Sequence, residues 1–177
     1  MGISEVIKKR RSVRSYKSDP IPEEDLRKIL DAGRWAPSSG NTQPLEMVVI
    51  RKQKTKKKLV KAARGQSFIA QAPVVVVICA NIPRTERKYG ERGRNLYIIQ
   101  DTAAATQNIL LMAYELGYAT CWIGSFIDKE VEKIIEAPEK IRPLALIPIG
   151  KPARIPKTPH KRNLDEIVHE EKLRSRR

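Results

Sequence analysis

The stretch from Asn95 to Leu116 limits the possible folds more than any other part of the chain. It is the longest helical segment and is apolar nearly all round, through Leu96, Ile98, Ile99, Ala103, Ala104, Ala105, Ile109, Leu110, Leu111, Met112 and Ala113. A helix of that kind has to be covered on several sides. In a chain of 177 residues, one of those sides is expected to meet another subunit. Gly117 closes the helix in C′ fashion. The length suits a single domain over residues 1–177, long enough to remove roughly 70% of its unfolded surface from water.

Helices and strands interleave around that segment. Ile3 to Arg11 reads as a short helix with Ile3, Val6 and Ile7 on one face. IPEEDLRKILDAG places Pro22 in a first turn followed by acids, with Leu26, Ile29 and Leu30 as its apolar stripe, and Pro37 as its stop. Met47 to Ile50 is a short strand and Lys54 to Ala63 a cationic helix. Val74 to Cys79 is a continuous β-branched run between Pro73 and Asn81, the pattern of a central strand buried on both faces. Ala119 to Ile123 reads as a short strand. Asp128 is expected to cap a helix through Glu136, and Leu144 to Ile149 is a last strand. Asn163 and Glu166 have capping-box spacing before a C-terminal helix, LDEIVHEEKL. The class is α/β or α+β with one sheet.

Several functions fall away. The longest apolar run, Ala72 to Ala80, is too short to span a bilayer, and MGISEVIKKR lacks the apolar centre of a signal peptide, so a cytoplasmic protein with no membrane association is expected. Cys79 and Cys121 are the only cysteines and read as buried, reduced thiols. With only His160 and His169, neither a metal site nor a Ser-His-Asp triad is expected. Thirty-five Lys and Arg against 20 Asp and Glu leave a net charge of +15, which suits an anionic partner.

Four segments are polar where turns or element ends are expected. RRSVRSY, residues 10–16, sets Arg10, Arg11 and Arg14 around Ser12, and guanidinium forks suit phosphate oxygens; a solvated basic turn would look the same. WAPSSGNTQP, residues 35–44, combines small residues with the hydrogen-bonding groups of Ser38, Ser39, Asn41 and Gln43, and also reads as a loop rich in turn formers. TCWIGSF, residues 120–126, ends a short apolar strand in glycine, either for backbone geometry or for close approach of a planar ligand. IGKPARIPKTPHKR, residues 149–162, is an extended basic segment in which Lys151, Arg154, Lys157, Lys161 and Arg162 either close a phosphate site or solvate a tail.

Together these segments resemble the nitroreductase family of FMN-dependent oxidoreductases. The residues that carry the resemblance are RRSVRSY, APSSGNTQP about 25 residues later, GQSFIAQAPVVVVICA, QNILLMAYELGYATCWIG, and the final Gly-Lys followed by Arg162. They run from about Ile3 to Glu170, and their order and spacing are more specific than any one of them. The resemblance implies an α+β three-layer sandwich, one central, mostly antiparallel sheet flanked by helices. It also implies a homodimer with FMN at the subunit interface. By position, Arg10, Arg11, Ser12 and Arg14 would contact the phosphate, ribityl chain and pyrimidine edge, and Pro37, Ser38, Ser39 and Asn41 would come from the partner subunit. Gln66 would be a polar contact to the ring, Trp122, Ile123 and Gly124 would lie against it with a backbone N–H towards its hydride-accepting nitrogen, and Lys151 and Arg162 would complete the phosphate site. No catalytic side chain is implied, since the flavin carries the redox chemistry.

The implied activity is hydride transfer from NADH or NADPH through FMN to a nitroaromatic, quinone or similar acceptor. Ile123 stands where one branch of the family carries an acidic residue, and little chain is inserted over the substrate. A flavin-fragmenting or dehalogenating branch is therefore the alternative within the family. A basic nucleic-acid-binding module is the alternative outside it. It is disfavoured because no nucleic-acid motif is present and the aromatics do not interleave with the basic clusters.

Overall fold

The computed structural model describes residues 2–173. Among them the centre is a four-stranded antiparallel sheet in the order β1-β2-β4-β3, made of Leu45–Ile50 (β1), Val74–Asn81 (β2), Ala119–Thr120 (β3) and Ile141–Gly150 (β4). The helices are Ile3–Lys9 (α1), Glu23–Arg34 (α2), Gln53–Ala62 (α3), Ile82–Arg92 (α4), Ile98–Glu115 (α5) and Asp128–Ile134 (α6).

β2 organises the core. It lies between β1 and β4, and every position from Val74 to Ala80 is buried. Its side chains alternate between two apolar layers. Val75, Val77 and Cys79 pack with Leu59 and Ala62 of α3 and Val131 of α6, while Val74, Val76 and Ile78 pack with Leu26 and Ile29 of α2 and Ile109, Leu110 and Ala113 of α5. Both faces are covered by helices, which is why this strand is a continuous β-branched run and why the result is a three-layer sandwich. β4 starts earlier than Leu144. It runs through Pro143, and the register against β2 shifts between Ile78 and Cys79, an irregularity that accommodates a residue with no N–H to donate.

Helix ends follow local chemistry. α2 starts after Pro22, carries Glu23, Glu24 and Asp25 in its first turn and Arg34 in its last, each sign matching the helix dipole. It stops at Arg34, short of Pro37. α5 ends in a Schellman motif. Gly117 adopts φ +79° and donates to Tyr114 O, and Tyr118 donates to Ala113 O, so the last carbonyls are satisfied by a residue that tolerates left-handed backbone.

Some expectations are corrected. Gly93–Tyr97 forms a separate π-turn before α5, and within this chain α5 is covered on one face, its other side left open as expected of a face that meets another subunit. Ile98, Ala105, Ile109 and Ala113 are buried, while Ile99 is 42% exposed and Leu111 and Met112 are half-buried. Leu111 and Met112 instead line an open groove of 530 Å³ with Ile3, Val6, Ala32 and Trp35, between α1, α2 and α5. Asp128 lies inside the first turn of α6 and Ile127 precedes it as the cap. β3 is shorter than expected, although Ile123 rejoins the sheet by exchanging both backbone hydrogen bonds with Leu146. The C-terminal helix is absent: Leu164–Glu166 is a single 3-10 turn, and Asn163 makes no side-chain cap. Its apolar residues Leu164, Ile167 and Val168 are exposed. A helix that short needs a packed face to persist, and no surface of the described chain supplies one. No helix of the described residues is long and apolar enough to cross a membrane.

Candidate functional site

The RRSVR segment leaves α1 and runs beside β3. Ser12 bridges Thr120, Val13 donates to Thr120 O, Lys17 donates to Lys151 O and Ala153 donates to Ser15 O. Residues 12–17 are thereby held against both the TCWIG strand and the chain that follows β4. Next to them opens a cleft of 670 Å³ lined by Lys8, Arg10, Arg11, Ser12 and Arg14 on one side and Pro156, Lys157, Thr158, Pro159 and Lys161 on the other, with no carboxylate among its lining residues. Arg11 ties the two sides by donating to Thr158 Oγ1 at 2.5 Å. Arg10 is half-buried, and its side chain has no hydrogen-bond or ion-pair partner among the described residues. Burial, and then the neighbouring Arg11 charge, hold its guanidinium below the usual pKa. Cations concentrated in this way, with fixed donors and no internal counter-charge, suit a polyoxygenated anion.

The TCWIG segment supplies the adjoining edge. Ile123 is buried and its N–H is engaged by Leu146 O, whereas Gly124 is exposed, its N–H makes no protein hydrogen bond among the described residues, and the space above its Cα is open. Trp122, 40% exposed, stands next to it. Gln66 reaches this edge and steadies it, donating to Ser125 O at 3.2 Å and Ala63 O at 3.1 Å.

The Pro37–Asn41 loop is elsewhere. Ser39 donates through both its N–H and its hydroxyl to Asp101 Oδ1, each at 2.9 Å, and Asp101 lies in the first turn of α5. Arg10 lies instead near Tyr114 and Gly117 at the far end of that helix. At 1.5 Å per residue, Asp101 and Tyr114 are about 20 Å apart. One chain therefore does not bring Ser38, Ser39 and Asn41 to Arg10, Ser12 and Gly124. The chain here runs through left-handed backbone, with φ of +51° at Gly40, +57° at Asn41 and +50° at Gln43, which glycine and asparagine accept and Gln43 does not favour. It is pinned from several sides, with Gln43 N–H donating to Ser38 Oγ, Arg84 Nε donating to Thr42 O, and Thr42 and Thr85 hydroxyls 3.0 Å apart.

Two basic residues singled out in the sequence are engaged otherwise. Lys151 Nζ sits over the Tyr118 ring, 5.5 Å from its centroid, and Arg162 pairs with Glu166. Lys157 and Lys161 are the tail cations that line the cleft. Sequence reasoning missed Asp101, because an acid in a helix first turn is ordinary, and missed Lys56, a buried lysine in the cationic helix whose Nζ donates to Ala72 O at 2.6 Å. Cys79 and Cys121 are buried free thiols, and burial pushes the Cys79 thiol up to about 12. Among the described residues no cluster of His, Cys, Asp and Glu has the makings of a metal site.

Comparison with known proteins points the same way. A model of the nitroreductase family matches residues 7–68 and 61–151. The "Putative NADH dehydrogenase/NAD(P)H nitroreductase" of Methanothermobacter thermautotrophicus is 34% identical over 162 residues, spanning 89% of this chain and 81% of its own length. The NAD(P)H FMN reductase of Bacillus subtilis is 32% identical over 167 residues, spanning 85% of this chain and 67% of its own. The crystal structure of nitroreductase A from Vibrio parahaemolyticus superposes with a TM-score of 0.92 at 25% identity, covering 100% of this chain and 79% of that one.

Proposed function

The chain belongs to the nitroreductase family, and from that premise we propose that it passes hydride from NAD(P)H through FMN to a nitroaromatic, quinone or similar small acceptor. It is an FMN-dependent NAD(P)H oxidoreductase. The observation that carries the reading is the junction of a carboxylate-free cation cleft with an unpartnered glycine amide across the Ser12–Thr120 bridge. The residues present fit FMN: its phosphate matches the half-buried, unpartnered Arg10, and its flat ring matches the open space over Gly124.

When bound, FMN supplies the chemistry by taking hydride from the nicotinamide and delivering it to the acceptor. The chain supplies position and electrostatics. Arg10, Arg11 and Ser12, with Lys151, Lys157, Lys161 and Arg162, would hold the phosphate, and Arg14 would contact the pyrimidine edge. Lys157 and Lys161 line the cleft and join Lys151 and Arg162 in the phosphate role, since the contacts that Lys151 makes with Tyr118 and Arg162 with Glu166 are exposed and weak. The Gly124 N–H, free of any protein acceptor among the described residues, would donate to the hydride-accepting nitrogen. Ile123 would serve the ring as packing, because its own N–H belongs to Leu146. Gln66 fixes the height of that edge through Ser125. Fixed donors and cations aimed where charge develops stabilise it without reorganising. On this reading no side chain is indispensable for hydride transfer.

The working unit is a homodimer. Two observations support it: the apolar groove along α1, α2 and α5, and the separation of the Pro37–Asn41 loop from the cleft of its own chain. A second subunit reaching across with Pro37, Ser38, Ser39 and Asn41 completes each site. The test is reconstitution. Protein purified with added FMN is yellow, releases flavin on denaturation, and its flavin bleaches anaerobically with NADH or NADPH. Colourless protein that fails to take up FMN refutes the reading.

A further inference from the structure

We propose that Asp101 is the positioning residue of the Pro37–Asn41 loop, setting that loop for the flavin bound by the other subunit. The proposal rests on the reading above that the loop completes the partner's site. Asp101 is 8% exposed. Its Oδ1 accepts both donors of Ser39, while its Oδ2 has no partner among the described residues. Burying a carboxylate with one oxygen unpartnered is costly. What the carboxylate achieves is local: a charge-assisted double hydrogen bond that anchors Ser39 to a helix of 18 residues.

The loop needs such an anchor. Left-handed backbone is unfavourable at Gln43 and only tolerated at Asn41, and a loop released from its anchor relaxes away from that conformation. The other ties hold Thr42, Gln43 and the Gly40 carbonyl to α4 and to Ser38. Ser39 is the residue held by α5, and its fixation orients the turn that carries Asn41.

The consequence is an effect in trans, and subunit mixing reads it directly. FMN binding is titrated by fluorescence on homodimers of Arg10→Ala, Asn41→Ala, Asp101→Ala and Asp101→Asn, and on two-tag heterodimers purified from co-expressed chains. Asp101→Ala weakens FMN binding roughly tenfold or more, as expected for losing charged hydrogen bonds, and Asp101→Asn, which still offers Ser39 an oxygen, restores most of it. A heterodimer of an Arg10→Ala chain with an Asp101→Ala chain recovers one tight FMN per dimer, because both lesions fall in the same site. A heterodimer of the Arg10→Ala/Asp101→Ala double mutant with wild type retains none.

The opposite pattern, none in the first heterodimer and one in the second, overturns the proposal, as does an Asp101→Ala homodimer that binds FMN with wild-type affinity. If Asp101→Ala does not fold, Asp101→Glu takes its place in the same crossing. The Asn41→Ala crossing separates the two failures. If Arg10→Ala with Asn41→Ala also recovers no site, the partner-loop reading fails. If that pair recovers one site and the Asp101 pair does not, only the assignment to Asp101 fails.

Discussion

The two ends of α5 solve the problem of holding a ligand in opposite ways. At its C-terminal end, the cleft around Arg10 holds its cations without a carboxylate to neutralise them, leaves Arg10 unpartnered and tolerates the repulsion between Arg10 and Arg11. At its N-terminal end, the Pro37–Asn41 loop has both donors of Ser39 engaged by Asp101, and its backbone passes into left-handed conformations. The first end stores electrostatic potential for an anion. The second stores geometry. Electrostatic sites tolerate displacement because the interaction falls off slowly with distance, whereas a geometric site fails when its anchor moves. Binding and stability should therefore separate at one end and move together at the other.

The largest effect is expected at the cation end. Arg10→Ala should weaken FMN binding by about 1.5–3 kcal/mol, measured by fluorescence titration, while the apo-protein keeps or gains stability because a repulsive, half-buried charge is gone. A parallel loss of apo melting temperature would break the contrast. At the loop end, Gly40→Ala should lower apo stability by about 1–2 kcal/mol and FMN affinity with it. The backbone there is left-handed, and a Cβ would run into Tyr89 Oη and Lys88 Nζ. Denaturant unfolding and flavin titration on the same variant check whether the two losses travel together.

Gln66 belongs to neither end and sits at the TCWIG edge. Gln66→Ala removes two side-chain-to-backbone hydrogen bonds and should slow stopped-flow flavin reduction several-fold, with each lost bond worth about 0.5–1.5 kcal/mol. Complete loss of reduction with FMN still bound would reveal a chemical role for that amide. The smallest effect is remote from both. Cys79 has its pKa raised from 9.0 to about 12 by burial. Its contribution to stability is thus fully present below pH 9 and is lost as pH rises from 9 towards 12. Native protein should leave Cys79 unmodified by a thiol reagent at pH 8, and Cys79→Ala should flatten that part of the alkaline stability profile.

Much of this architecture was legible in the amino-acid order. The β-branched run at Val74–Cys79 announced a strand covered on both faces, and the cap and dipole signals around Pro22 and Gly117 placed helix ends, because these depend on neighbours a few residues away. RRSVRSY and TCWIGSF were visible as polar or glycine-bearing ends of elements. Their juxtaposition was not, because a bridge between Ser12 and Thr120 is a long-range pairing that no local pattern encodes. The C-terminal capping box misled for the same reason: Asn163 and Glu166 have the right spacing, but the apolar face behind them has nothing in the described chain to pack on.

The sequence by itself determined the sheet's central strand, the positions of most helix ends, the charge and the segments rich in hydrogen-bond donors. Only the tertiary structure decided which of these meet. It turned Lys157 and Lys161 into the cleft and Arg162 towards Glu166, engaged the Ile123 amide while leaving that of Gly124 open, and made an ordinary first-turn acid, Asp101, the anchor of a strained loop. The physical reason is range. Propensity, capping and alternation act over a few residues, whereas a hydrogen bond between residues 62 apart, such as Ser39 to Asp101, exists only once the packing of helices on the sheet has brought its two ends together.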